Sequence, residues 1–309
     1  MSEKDTREED SGRKTESKKI SDEAAVPGAF LGIDSPLETS RAVILPVPYE
    51  GTVSYRPGTR FGPAAIIDAS AHLEIYDEEL DAEPFLAGIH TAPPVWPNLS
   101  SPQGMIQEIR ERCRRYLNQD KFLAVLGGEH SVTVGSVQAH QEKHLGLCVL
   151  QIDAHADLRD SYHRTKWGHA SVMRRVGELC PTVGVGIRSL SREEMDFAAA
   201  EDRRIFFAHQ IREDPHWIDR VVGELASEVY VTVDLDGLDP GILPAVGTPV
   251  PGGLSWRQTL DLLGRVAAEK NVVGFDVVEL APIPGQVASD FATARLVYKL
   301  LGYILEKRP

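Results

Sequence analysis

Cysteine and long apolar runs are both scarce in this chain of 309 residues. The three cysteines, Cys113, Cys148 and Cys180, are widely spaced and form no CxxC pair, which argues against a disulfide framework and favours a reducing compartment. No apolar run approaches the ~18 residues that a transmembrane helix needs, and the N-terminal residues lack the apolar core of a secretory signal. These absences predict a cytoplasmic protein without a membrane segment.

Basic residues are also in short supply. The chain carries 33 Lys and Arg against 46 Asp and Glu, a net charge of −13. Nucleic-acid recognition requires a basic surface, so this balance argues against a nucleic-acid partner. The acidic excess either serves solubility alone or draws a small cationic substrate to the protein.

The composition divides the chain into a tail and a domain. Residues 1–24 are charged in both signs and almost free of large apolar residues, which predicts a disordered tail. Residues 25–309 contain no Pro/Ser-rich linker and are expected to form one domain. Short apolar runs alternate there with helical periodicity, the pattern of an α/β fold with a mostly parallel sheet covered on both faces. The expected strands are residues 42–47, 86–89, 122–126, 147–152, 182–187, 204–207, 229–233 and 272–277. The expected helices are residues 63–73, 103–118, 131–144, 169–178, 192–201, 215–226, 255–269 and 287–305.

Three of the apolar runs end in clusters of carboxylates and histidine. The clusters are Glu129-His130-Ser131, Asp153-Ala154-His155-Ala156-Asp157 and Asp234-Leu235-Asp236-Gly237-Leu238-Asp239-Pro240. Ligands of parallel sheets bind outside the carboxyl ends of the strands, so all three clusters are expected at one rim. An extended backbone would aim Asp153, His155 and Asp157 at one point. Gly127-Gly128, just before the first cluster, would let the backbone approach a neighbour closely.

These donors have the composition of a metal site. Oxygen-rich sets with a minority of imidazole suit Mn²⁺ or Mg²⁺ better than zinc, and two imidazoles disfavour Mg²⁺. Two ions ~3.5–4 Å apart can share a water and turn it into a nucleophile. A single Asp after a strand is more often a helix cap or a turn former, but three matching clusters are hard to explain as turns. The pair His140 and His144 lacks the adjacent Glu of a zinc-protease motif and is predicted on a solvated helix face.

With their surroundings, the clusters resemble the three signature motifs of the ureohydrolase (arginase/agmatinase) family. The resemblance runs from about Phe30 to the C-terminus. It includes the segments Pro46-Val47-Pro48-Tyr49-Glu50-Gly51, Gly58-Thr59-Arg60-Phe61-Gly62-Pro63 and Val278-Glu279-Leu280-Ala281-Pro282. It implies a three-layer α/β/α sandwich with a central eight-stranded, mostly parallel sheet. Glu129 stands where many members have Asp.

The resemblance also implies two Mn²⁺ ions per chain, with Ni²⁺ or another divalent metal as the alternative. One ion would be held by His130, Asp153, Asp157 and Asp234. The other would be held by His155, Asp153, Asp234 and Asp236.

The implied reaction is hydrolysis of a guanidinium group to urea and an amine. Glu279 matches the family's guanidinium-binding carboxylate, and such a pairing suits the fork geometry of both groups. His169 matches the family's further histidine, a proton shuttle or substrate contact. His163 is a second candidate for that role, and Asp157 is expected to accept a proton from the water while it binds metal.

The substrate is expected to be agmatine, hydrolysed to putrescine and urea in polyamine biosynthesis. The loop Leu158–His163 has no Asn of the arginase kind and resembles that of bacterial agmatinases. Aminopropylagmatine, guanidinobutyrate, guanidinopropionate and free guanidine stay open as alternatives.

The family is usually homo-oligomeric, often a trimer or a hexamer. Two interpretations from other classes also stay open: a two-metal phosphoesterase, although no Arg/Lys cluster or Gly-rich loop suggests a phosphate site, and a non-catalytic relative that keeps only the fold.

Overall fold

A single parallel sheet organises the molecule. The computed structural model describes residues 27–306, so the expected disordered segment 1–24 lies outside the described residues. The strands are β1 (Ala42–Val47), β2 (Ile89–Thr91), β3 (Phe122–Gly127), β4 (Leu147–Ile152), β5 (Thr182–Ile187), β6 (Arg204–Phe207), β7 (Glu228–Asp234) and β8 (Asn271–Val278). Their order across the sheet is β2-β1-β3-β8-β7-β4-β5-β6, and every pairing between them is parallel.

Helices cover both faces of the sheet. Within the described residues they are α1 (Gly62–Ser70), α2 (Pro102–Leu117), α3 (Val132–Lys143), α4 (Val172–Val176), α5 (Arg192–Ala200), α6 (Ala208–Glu213), α7 (Trp217–Glu224), α8 (Trp256–Glu269) and α9 (Ala288–Leu305). Residues of α1, α6, α7, α8 and α9 share one apolar core with the sheet, while α2, α3, α4 and α5 pack into the cores on the opposite face. The predicted three-layer α/β/α sandwich is confirmed.

The strands are mostly apolar because both of their faces are covered. In β1, Ala42 and Ile44 enter the core beneath α1 and α9, whereas Val43 and Leu45 enter the core beneath α2. Side chains of a strand alternate between the two faces, so each run of six residues supplies both cores. No helix among residues 27–306 has both the length and the hydropathy that a membrane crossing requires.

Local structure differs from the expectation at two places. The second strand spans Ile89–Thr91 instead of residues 86–89, because Pro84–Ala87 form a 3-10 helix that ends at Gly88 with a φ of 77°. Helix α6 was not expected, since it is short and begins after Phe207, which provides no side-chain cap.

The prediction of a solvated face was wrong for His140. Its ring is completely buried and packs edge-on against Tyr230, with centroids 4.8 Å apart. Its Nδ1 lies 2.8 Å from the Ser136 carbonyl oxygen. Helix α3 lies between the sheet, α2 and α4, so it has little solvated surface. His144, at the end of this helix, is half-buried and contacts Glu228.

Candidate metal centre

The predicted clusters converge at the carboxyl ends of four neighbouring strands. These strands lie in the order β3-β8-β7-β4 at the middle of the sheet. His130 follows β3, Asp153 follows β4, Asp234 ends β7 and Glu279 follows β8. Four chain segments far apart in sequence therefore deliver their polar residues to one rim, as the clusters predicted.

Glycine allows these segments to approach one another. A Cβ at Gly128 would lie 2.0 Å from the carbonyl oxygen of Tyr49, and a Cβ at Gly237 would lie 2.7 Å from the amide nitrogen of Asp153. No side chain fits at such distances. Gly128 thus permits the close backbone approach that the sequence predicted just before His130.

Three carboxylates surround one nitrogen of His130. Its Nδ1 lies 3.2 Å from Asp153 Oδ2, 3.1 Å from Asp157 Oδ2 and 3.3 Å from Asp234 Oδ2. The imidazole is buried, and Nδ1 has no hydrogen-bond partner among the described residues. These four groups meet at a single buried point.

The other nitrogen of His130 shows which atom carries the proton. Thr232 Oγ1 donates to Asp276 Oδ1 at 2.6 Å, so it is available as an acceptor for His130 Nε2 at 3.0 Å. The neutral ring is therefore protonated on Nε2 and presents a lone pair at Nδ1. A carboxylate that orients an imidazole through such a contact is typical of the surroundings of metal ligands. One lone pair and three carboxylate oxygens directed at one point fit a divalent cation.

A second group of donors adjoins the first. His155 Nδ1 lies 3.0 Å from Asp236 Oδ2 and 3.6 Å from Asp153 Oδ1. Asp153 therefore belongs to both groups, each of which has the spacing of a metal site. The Oδ1 of Asp234 accepts the amide of Asp236 at 3.0 Å, while its Oδ2 faces His130.

The Asp153–Asp157 segment was expected to be extended throughout, but its backbone turns at Asp157. Asp157 has a φ of 52°, in the left-handed region that residues other than glycine seldom adopt. The turn directs Asp157 toward His130, while His155 faces Asp236 instead. The segment thus serves two neighbouring points rather than one. Strained backbone of this kind is concentrated at functional sites.

Burial and crowding of like charges disturb the ionisation of the cluster. Burial, followed by the charge of Asp153, raises the pKa of Asp157 to about 7. Burial also raises the pKa of Asp234, with Asp236 as the next cause. Burial acts against protonation of His130, yet its three carboxylate neighbours outweigh burial and raise its pKa. Without a cation, protons must therefore offset the charge of this site.

Glu279 lies beside the cluster in an unusual backbone conformation. Its φ is 68°, and its Oε1 accepts the amide of His130 at 2.7 Å. Burial raises the pKa of Glu279 to about 8, although this hydrogen bond opposes the shift. The side chain lines the cavity above the cluster, where a cation would favour its ionised form.

His169 forms another part of the cavity wall. Its Nδ1 is 3.2 Å from Thr52 Oγ1, and its Nε2 is 3.4 Å from Ser54 Oγ. Burial, together with the charges of His130 and His155, lowers the pKa of His169 to about 4. A neutral imidazole at this position has one nitrogen able to accept a proton.

The cavity above the cluster has a volume of about 270 Å³. It is lined by His155, Asp157, Asp234, Asp236, Glu279, His169, Glu194 and Thr248 and, on its more exposed side, which we call the mouth, by Ser54, Tyr55, Arg56, Arg159 and Tyr162. His163 is not part of this wall. It is exposed, has a φ of 46° and stacks on Tyr162, with ring centroids 4.2 Å apart. The geometry gives the predicted role of His163 no support.

Comparison with known proteins identifies the family. Residues 40–302 match the model of the Arginase family. The chain belongs to the Arginase family. As a ureohydrolase of this family, it is a hydrolase that acts on amidine C–N bonds.

Individual relatives lie on the agmatinase side of this family. The chain is 44% identical over 275 residues to the N(1)-aminopropylagmatine ureohydrolase of Thermus thermophilus, covering 87% of this chain and 92% of that protein. It is 35% identical over 266 residues to the agmatinase of Bacillus cereus, covering 85% and 91%. The crystal structure of agmatine ureohydrolase of Thermoplasma volcanium superposes with a TM-score of 0.81 at 29% identity, covering 88% and 92%.

Sequence reasoning missed the residues that support the donors of this Arginase family site. Thr232 and Asp276 are paired across β7 and β8, and each is a buried polar residue inside an otherwise apolar strand. A buried polar residue needs a polar partner. This requirement could have identified Thr232 and Asp276 from the sequence. Thr52 carried no signal, because only the fold brings it to His169.

Proposed function

We propose that the protein hydrolyses the guanidinium group of an amine-tailed substrate, N(1)-aminopropylagmatine in preference to agmatine. The observation that carries the reaction is the half-buried Glu279 carboxylate on the wall of a cavity that ends at the carboxylate-histidine cluster. The substrate preference rests on the higher identity to the Thermus thermophilus relative than to the Bacillus cereus agmatinase. Agmatine, expected from the motifs, is kept as the second substrate.

Two Mn²⁺ ions are the proposed cofactors. His130, Asp153, Asp157 and Asp234 would hold one ion, and His155, Asp153, Asp234 and Asp236 the other. The orphaned Nδ1 of His130 among three carboxylates supports the first site. When bound, such ions supply a nucleophile from water near neutral pH.

Glu279 would bind the guanidinium group. Because burial raises its pKa to about 8, a neutral ligand leaves the carboxyl group protonated near pH 7, whereas a guanidinium favours the carboxylate. The resulting charged hydrogen bonds would orient the guanidinium carbon toward the cluster. The amide of His130 holds Glu279 Oε1 in place for this contact.

His169 would move the proton that the leaving amine needs. Its ring lies on the cavity wall and is neutral, since its pKa is lowered to about 4. The unprotonated nitrogen can take a proton from the reacting water and pass it to the amine.

A urea-release assay tests the proposed function. Protein loaded with Mn²⁺, and in parallel with Ni²⁺, is given aminopropylagmatine, agmatine, arginine, guanidinobutyrate, guanidinopropionate and guanidine. We expect the highest kcat/KM with aminopropylagmatine, followed by agmatine. Absence of urea with every substrate and both metals would contradict the proposed reaction, and a preference for a carboxylate-tailed substrate would contradict only the substrate.

The proposal also includes the assembly and the cellular setting of the protein. The family resemblance supports a homo-oligomer, either a trimer or a hexamer. The substrates of the relatives support a place in polyamine biosynthesis, and the proposed location is cytoplasmic. Light scattering during size-exclusion chromatography measures the oligomeric state directly.

A further inference from the structure

Thr52 lies between a buried carboxylate and the imidazole of His169. Its hydroxyl donates to Glu129 Oε1 at 2.7 Å. The hydroxyl oxygen of Thr52 also accepts the amide of His169 at 3.1 Å and lies 3.2 Å from His169 Nδ1. The residues Glu129, Thr52 and His169 thus form one continuous hydrogen-bonded chain.

Glu129 has a full set of donors. Its Oε2 accepts the amides of Gly51 at 2.7 Å and Thr52 at 2.6 Å, and its Oε1 also accepts the hydroxyl of Ser131. The side chain is completely buried. A buried carboxylate with four donors is a strong acceptor at both oxygens, so it holds the Thr52 proton on its own side.

The direction of these bonds decides the tautomer of His169. A hydroxyl has one proton to donate, and Thr52 gives it to Glu129. Toward His169 the Thr52 oxygen is only an acceptor, so His169 Nδ1 must carry the ring proton. Its Nε2 is then the unprotonated nitrogen, next to Ser54 Oγ at 3.4 Å.

We propose that Glu129 and Thr52 are positioning residues, which hold His169 with Nε2 unprotonated at the cavity wall. This inference rests on the proposed function for the role of His169 in proton transfer. Neither the Glu129 nor the Thr52 side chain lines the cavity, and both act on His169 through the Thr52 hydroxyl. Glu129 also fixes the start of the segment 53–56 that lines the cavity. An Asp at position 129, one methylene shorter, would reach these donors less well.

A double-mutant cycle in the Mn²⁺-loaded enzyme tests the pair. We expect Thr52→Val to lower kcat by about tenfold or more, because correctly held proton-transfer groups contribute ~10²–10⁴-fold, with KM and metal content unchanged. Thr52→Ser keeps the hydroxyl and is expected to stay near the wild-type kcat. In a His169→Asn background, Thr52→Val should lower kcat no further. Thr52→Val also removes the acceptor of the backbone amide of residue 169. The small loss of stability that follows should appear in both backgrounds.

A second measurement does not depend on activity. Nitrogen-15 spectra of Zn²⁺-loaded protein report which nitrogen of each imidazole carries the proton. The signals of His169 are assigned as those that are lost in His169→Asn. We expect the Nδ1–H form in the wild type and in Thr52→Ser, and a shift toward Nε2–H in Thr52→Val.

Either of two results would overturn the proposal. One is an Nε2–H tautomer in the wild type, and the other is an equal loss of kcat from Thr52→Val with and without His169. If the wild type releases no urea from any substrate, the proposed function fails, and the tautomer alone decides whether the pair positions the ring.

Discussion

The floor and the mouth of the cavity are built differently. The floor consists of residues that follow four central strands, and most of its donors are buried and in contact with one another, as His130 and Asp153 are. The mouth consists of loop residues such as Arg159 and Tyr55, which is 77% exposed. A rigid floor suits the chemical step, which requires fixed donors. A loop-built mouth suits the choice of substrate, since loops vary without disturbing the sheet.

The largest effect is expected at the floor, from Asp153→Asn. Asp153 contacts both histidines of the cluster, so the substitution removes a charged donor from both metal positions. We expect kcat to fall by about 10³-fold or more, with less metal bound per chain by elemental analysis. Asp239→Asn is the matched control from the third motif, because the Asp239 carboxylate accepts hydrogen bonds from the turn amides of Gly241 and Gly252. Equal losses of kcat and of bound metal in Asp153→Asn and Asp239→Asn would contradict a specific role for Asp153 at the floor.

Glu279→Gln should have the next largest effect and separate guanidinium binding from metal binding. Glutamine retains an acceptor for the amide of His130 but loses the charge that pairs with the substrate. Hydrogen bonds to charged groups contribute ~1.5–3 kcal/mol, so kcat/KM is expected to fall by about 10- to 100-fold. Metal content should not change. Loss of metal together with activity would assign Glu279 to metal binding instead.

Removal of the metal by chelation should destabilise the protein more at higher pH. Burial and neighbouring carboxylates raise the pKa of Asp157 to about 7, so the folded metal-free protein holds a proton that the unfolded chain releases near its ordinary carboxyl pKa. The contribution of this proton to the free energy of unfolding then falls as pH rises through this window. The raised pKa of His155 has the same sign at higher pH, whereas the lowered pKa of Asp153 acts only at strongly acidic pH. Calorimetry from about pH 5 to about pH 8 should show a growing difference in Tm between loaded and metal-free protein; a constant difference would contradict this account.

The smallest effect is expected at the mouth. Tyr55→Ala removes an exposed aromatic ring from the cavity entrance, where the proposed amine-tailed substrate would pass. A cation–π contact at an exposed site contributes ~0.5–1 kcal/mol, so KM for aminopropylagmatine should rise by about two- to fivefold, with kcat and metal content unchanged. Tyr76→Ala, another exposed tyrosine away from this cavity, is the control. A large loss of kcat in Tyr55→Ala would show that the mouth contributes to the chemical step.

Much of the fold followed from local patterns. Seven of the eight expected strand segments coincide closely with observed strands, because apolar runs of this length are stable only when both faces are covered. The exception, near Ile89, arose where Pro84 begins a 3-10 helix in an equally apolar segment. The burial of His140 was missed for a related reason, since helical periodicity does not show that a helix lies beneath two others.

The sequence by itself determined the donors of the candidate centre and the rim on which they meet, because residues that follow parallel strands share one edge of the sheet. The tertiary structure alone decided how these donors are supported. Thr232 meets Asp276 through strand pairing, and Thr52 meets Glu129 and His169 through loop packing. Such contacts join positions far apart in the chain, so no local period or spacing records them. Only the packed fold brings each threonine hydroxyl between a carboxylate and an imidazole.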